Sequence, residues 1–163
     1  MKFKLTKINQ LSGRKTKIYS VLVENESKSL FDNFLEENTE KNQPEILEIL
    51  QRINSIAQKE GAKEHYFKKA EGTLGDGVEA LYDANNRKLR LYCIRYGSVV
   101  LILGGGGAKN VRALQDDPKL KKENYVLRQI SKILTQAMKE GELQWNNDFD
   151  DFTGNLTFDD NED

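Results

Sequence analysis

One cysteine, Cys93, one histidine, His65, one tryptophan and two prolines are all that 163 residues supply of these types. A single cysteine forms no internal disulfide. Cys93 and His65 together fall short of a structural zinc set. A histidine-dependent triad would have to use His65, which sits in a loop-like stretch. No apolar run reaches the roughly 18 residues that carry a helix across a bilayer. The first residues, "MKFKLTKINQ", contain lysines but no continuous apolar region, so no secretory signal is expected. These absences point to a cytoplasmic protein with no membrane contact, no metal and no cofactor.

Charge is plentiful but uneven. Residues 142–163 hold eight acids and no lysine or arginine, so residues 1–141 carry 25 basic against 18 acidic groups. A basic body with an acidic tail points to nucleic acid or another charged partner. Residues 1–141 therefore read as a single α+β domain and 142–163 as an acidic C-terminal tail. Trp145, Phe149, Phe152 and Phe158 are spread among the acids. Tails that serve solubility alone carry few aromatics. Three arrangements stay open: a solvated tail, a tail lying across the basic face, or aromatics packing as an extension of the core.

The apolar pattern gives the elements. Residues 3–9 and 16–23 alternate as strands, joined by "LSGRK". Leu30, Phe31, Phe34 and Leu35 share one helical face within 28–38. Ile46, Leu47, Leu50, Ile53 and Ala57 do so within 43–60, with Pro44 in the first turn and Gly61 as the stop. A basic loop, 62–76, contains Lys68 and Lys69. Three strands follow, "GVEALYD", "RKLRLYCIRY" and "SVVLILG", joined by "DANN" and "YGS". Short links predict an antiparallel meander, with "VVLIL" in its centre. A helix from about Pro118 to Glu140 closes the series. The expected fold is an antiparallel sheet of four to six strands packed on one side by helices.

"LILGGGGAKN", residues 101–110, invites a phosphate-loop reading. The G-x-x-x-x-G-K-[ST] pattern fails because Asn110 follows Lys109. The G-x-G-x-x-G pattern fails because Lys109 stands at its last glycine. Glycine also lets another backbone come close. Either a plain strand-to-helix turn or a place where a phosphate backbone lies beside Lys109 and Arg112 fits the run.

The strand 87–96 is the most informative. Alternation sends Leu89, Leu91 and Cys93 toward the helices and Lys88, Arg90, Tyr92 and Tyr96 to the other face, with Ile94 among them. Arginine pairs with phosphate through two bonds, and tyrosine stacks on bases. Arg95 falls on the opposite face unless a bulge beside the turn redirects it.

The stretch "KLRLYCIRYGSVVLILGGGGAKN" and the order of elements resemble the RelE/ParE superfamily of bacterial toxins, in particular its HigB-like or phage-derived branch. Arg90, Tyr92, Gly97 and Lys109 are the matching positions. The resemblance implies the toxin of a type II toxin–antitoxin system, acting as a ribosome-dependent mRNA endoribonuclease. Its partners would be an antitoxin protein, RNA and the ribosome. Such cleavage sets a 2′-OH against the adjacent phosphate and needs a proton acceptor and charge stabilisation. Arg90, Tyr92 and Lys109 are the implied catalytic residues. Tyr92 or Lys109 would move the proton, and Arg90 would hold phosphate charge. Lys68, Lys69, Lys88, Arg95 and Arg112 are the implied RNA contacts. The alternative is a binding protein without chemistry, a gyrase-inhibitor-like toxin or a regulatory partner domain.

Overall fold

The computed structural model describes residues 1–68, 77–81, 88–109 and 117–160. Lys69, Arg112 and the expected turn at "DANN" lie outside the described residues. The chain opens with a hairpin of β1 (Lys2–Lys7) and β2 (Lys17–Val23). Helices α1 (Leu30–Asn38) and α2 (Gln43–Ser55) follow, then β3 (Phe67–Lys68), β4 (Val78–Leu81), β5 (Leu89–Tyr96) and β6 (Val100–Ala108). Helix α3 (Pro118–Lys139) precedes β7 (Leu143–Trp145), β8 (Phe152–Gly154) and β9 (Thr157–Asp159). Seven strands form one sheet in the order β3-β4-β5-β6-β2-β1-β9, and β7 and β8 form a small hairpin.

The α+β class expected from the sequence is the class adopted, and β4-β5-β6 is the expected antiparallel meander. Three features differ. The sheet has seven strands rather than four to six. It is mixed, because β2 runs parallel to β6, with Lys17 opposite Val100 and Ser20 opposite Leu103. Only long connections, usually helical, can return a strand in parallel, and α1 and α2 lie on the path from β2 to β6. Finally, helices cover both faces. One core cluster joins Tyr19, Tyr92, Ile94 and Ile102 to Leu127, Ile130 and Leu134 of α3. The other joins Ile18, Leu91, Leu101 and Leu103 to Phe31 and Phe34 of α1 and Ile46 and Ile53 of α2. A strand apolar on both faces, as "VVLIL" is, needs a cover on each side.

Local chemistry fixes the helix ends. Ser29 caps α1 by accepting from the Asp32 N–H at 3.1 Å. Past Ser55 the helical chain loosens into a π turn over Ile56–Glu60, stopped by Gly61 at φ 84°. The cause is visible: the Ala57 carbonyl accepts from the N–H groups of Lys15 and Thr16, and the Thr16 hydroxyl donates to the Ile56 carbonyl. Outside donors inserted into the ladder unwind it.

The glycine run is part of β6, not a loop. None of Gly104–Gly107 has a positive φ. Between the Leu91–Gly106 and Cys93–Leu103 pairs, β6 spends one residue more than β5, which is a bulge. Above the bulge lies α3. A Cβ on Gly104 would stand 2.8 Å from the Leu127 side chain, and one on Gly105 would stand 2.3 Å from the Glu123 carboxylate. Glycine is required there because the helix and the bulged strand leave no room for a side chain.

The acidic segment takes the third arrangement, as an extension of the core. β9 pairs antiparallel with β1, and Phe158 lies 5.4 Å from the Phe3 ring. Leu143 and Phe152 are buried in the cluster under α3. Asp151 anchors the β7–β8 hairpin to the first two strands: Lys7 and the Tyr19 hydroxyl both donate to its carboxylate. Burial alone would raise the Asp151 carboxyl. The bonds from Lys7, Tyr19 and the Phe152 N–H outweigh burial and hold it below the usual carboxylate range.

Two predictions follow from these contacts. A Cβ at Gly106 would come 1.8 Å from the Arg90 carbonyl oxygen, a rigid neighbour, whereas Gly105 faces the end of a flexible glutamate. Gly106→Ala will therefore lower stability by about 1–3 kcal/mol or more, and Gly105→Ala by clearly less, read from urea midpoints at constant m-value. For Asp151, a depressed folded pKa gives stability that is complete above the unfolded value of about 3.9 and lost as pH falls through the folded value. Asp151→Asn will flatten the acid limb of the melting-temperature profile below about pH 4, in thermal melts compared with the unsubstituted chain.

Candidate functional site at the glycine end of the sheet

Lys88 leads into β5 and Lys109 leaves β6. Register places Leu89 opposite Ala108 and Arg90 opposite Gly107. The Lys109 N–H donates to the Lys88 carbonyl at 2.8 Å, so the two lysines leave the sheet side by side. Lys88 lines a cleft of about 460 Å³. The α1–α2 link supplies Glu37, Asn38, Lys41 and Asn42, the backbone of Gly106–Ala108 forms the floor, and Asp117 and Lys119 stand opposite.

Buried carboxylates shape this cleft. Glu45, in the first turn of α2, is 6% exposed. Its two oxygens accept the Lys88 N–H at 2.8 Å and the Leu89 N–H at 2.7 Å. Charge-assisted bonds of this kind are the stronger ones. They fasten the start of β5 to α2 and fix where Lys88 emerges. Asp117 is buried and caps α3 by accepting from the Leu120 N–H at 3.1 Å. Lys119 lies 3.0 Å from Glu37 and 2.6 Å from Glu123. Burial works against its ammonium, but the hydrogen bonds to Glu123 and Glu37 outweigh burial and raise its pKa. Lys41 and Lys88 are exposed and Lys109 is half-buried. The arrangement offers several cations around a stretch of glycine backbone that a ligand can approach closely.

The residues singled out from the sequence fare differently. Lys88, Arg90 and Lys109 gather at this end of β5 and β6. Arg90 is half-buried. Tyr92 shares its strand but is 0% exposed, packed in the core cluster under α3. The face expected to be open is covered because Tyr92 and Ile94 pack beneath α3. Arg95 keeps regular alternation and serves the interior of the protein. It grips Glu79 through Nε at 3.1 Å and Nη2 at 3.3 Å, donates to the Ala62 and Gly97 carbonyls, and lies over the Phe67 ring. That side chain is committed to a structural clamp and not to an RNA contact. Lys68 is exposed on β3, at the far edge of the sheet from the cleft. Lys69 and Arg112 lie outside the described residues.

Lys41, Glu45, Asp117 and Lys119 were not singled out from the sequence. Asp117 and Glu45 had a signal: each stands next to a proline in a first helical turn or at its cap, Pro118 and Pro44. Nothing in the polar link around Lys41 sets it apart. Among the described residues no three His, Cys, Asp or Glu side chains gather as a metal-ligand set, and no helix is long and apolar enough to cross a membrane. No protein-family model, curated protein or solved structure matches the chain.

Glu45→Ala will leave the Lys88 and Leu89 N–H groups without their acceptor. Each buried orphan costs about 1–3 kcal/mol, so chemical denaturation will report a loss on that scale. Glu45→Gln, which keeps one acceptor oxygen, will fall between.

Proposed function

We propose that the chain acts on RNA as the toxin of a toxin–antitoxin pair, and that RNA lies in the lysine cleft at the glycine end of β5 and β6 rather than on a sheet face. The observation that carries this reading is the adjacency of Lys88 and Lys109 across the β5–β6 ladder, beside a glycine floor and Lys41. Lysine ammonium groups bind phosphate as point charges, and glycine admits a sugar–phosphate backbone without a steric barrier.

In the endoribonuclease form of this reading, a 2′-OH attacks the neighbouring phosphate on the ribosome-bound message. Lys109 takes part in proton transfer, Arg90 neutralises charge on the five-coordinate phosphorus, and Lys88 holds the strand. Tyr92 has no part in it, because a fully buried phenol under α3 cannot touch substrate. That same burial favours a second reading, a toxin or regulatory domain that binds its target without cleaving it, since one of the three implied catalytic groups is out of reach. The antitoxin and the cytoplasmic setting belong to either reading.

Induced expression with mapping of RNA 5′ ends separates the two. New 5′ ends that need translating ribosomes support cleavage. Growth arrest without new ends supports binding alone, and neither effect removes the toxin reading. The Lys88→Ala/Lys109→Ala double variant will relieve arrest at an unchanged melting temperature. On a single-stranded RNA oligonucleotide it will lose about 1.4 from the log K against log salt slope, about 0.7 for each phosphate contact removed. Tyr92→Phe will keep both arrest and RNA binding.

A further inference from the structure

The sheet edge at β9 carries a groove of about 540 Å³ with α3 along its other side. Gln129, Ile133 and Gln136 of α3 form one wall, and Thr157, Phe158 and Asp159 of β9 form the other. The groove runs beside the place where a further strand would lie.

The backbone of β9 is set for such a strand. Leu5 donates to the Leu156 carbonyl at 2.8 Å, and Asp160 donates to the Met1 carbonyl at 3.1 Å. With Phe3 opposite Phe158, this register turns the Phe158 amide groups toward β1 and those of Thr157 and Asp159 away from it. A side chain already imitates the missing neighbour. The Asn155 amide accepts from the Thr157 N–H at 3.1 Å and donates to the Thr157 carbonyl at 2.7 Å, the two-bond pattern of a strand residue.

Charge selects the occupant. Glu140, Glu142, Asp159 and Asp160 line the groove against Lys132, and the amino group of Met1 pairs with Asp160. Two copies joined edge to edge would bring these acids together, and like charges on facing edge strands oppose pairing. We propose that the β9 edge is a docking site for an extended, lysine- or arginine-bearing segment of a partner protein, which adds to the sheet as an eighth strand. Main-chain bonds to Asp159, and to Thr157 in place of Asn155, supply affinity. Ile133 and Phe158 receive alternate apolar side chains, and the acids select basic residues between them. The proposal is independent of the lysine cleft, since β9 lies three strands from β6.

The test uses the full chain and a fluorescein-labelled ten-residue peptide of alternating lysine and valine, titrated by fluorescence anisotropy. The expected result is saturable binding. Three changes will each weaken it by about tenfold or more: glutamate for lysine in the peptide, methylation of alternate peptide nitrogens, and Glu140→Lys/Glu142→Lys in the protein at an unchanged melting temperature. Absence of binding overturns the proposal. Binding that survives methylation reveals plain charge attraction and also overturns it, as does equal binding by the charge-reversed protein. Sedimentation showing that the chain dimerises unless Glu140 and Glu142 are replaced would assign the edge to a second copy and overturn it equally.

Discussion

The close approach of α3 to β6 is the constraint on which the rest of the molecule depends. A long helix can lie this near a strand only where the strand presents no side chains, and Gly104 and Gly105 provide that clearance. The bulge that they accommodate shifts the β5–β6 register by one residue, so Leu89 meets Ala108 and Lys88 meets Lys109. Without that shift the two lysines would not leave the sheet as neighbours. The glycines thus act on the cleft through register and packing. Any ligand contact at Gly106 and Gly107 comes in addition to that role.

A second constraint is electrostatic. This chain places carboxylates where they join segments far apart in sequence: Glu45 ties α2 to β5, Glu79 ties β4 to Arg95, and Asp151 ties the C-terminal hairpin to Lys7 and Tyr19. Each carboxylate accepts several bonds from fixed donors, which offsets the cost of removing the charge from water. The apparent division of the sequence into a basic body and an acidic tail is partly a consequence. Some of the tail's acids are partners for the body's cations, and the fold brings them together.

Much of the fold was legible. The two strands at the start, the three helical stripes and the meander all stand close to their expected places, because periodicity reports which face of an element is buried. Parallel pairing of β2 and β6 was not legible, since no local signal says which strand a long connection returns to. The open face assigned to Arg90 and Tyr92 failed for a related reason. Alternation in "RKLRLYCIRY" separates two faces but does not say what covers them, and Tyr92 and Ile94 read equally well as an exposed platform or as the floor under a helix. For the site, the adjacency of Lys88 and Lys109 was hidden behind the bulge. Arg95 was misread because its partner Glu79 lies 16 positions away. The aromatic residues in the acidic tail were the one clue to its packing, and they were correctly weighed as a possible core extension.

The pairing of β1 with β9 also has a consequence for synthesis. β1 is the first strand to emerge from the ribosome and β9 the last element of the sheet to be made. The early hairpin of β1 and β2 must therefore wait, with one side unpaired until β6 appears and the other until β9 does. A nascent chain cut short after α3 would hold most of the sheet yet lack the Asp151 anchor and the strand that covers β1. An unpaired edge of that kind invites pairing with other chains. Incomplete copies of this protein would thus be marked by a sticky edge that the finished molecule hides.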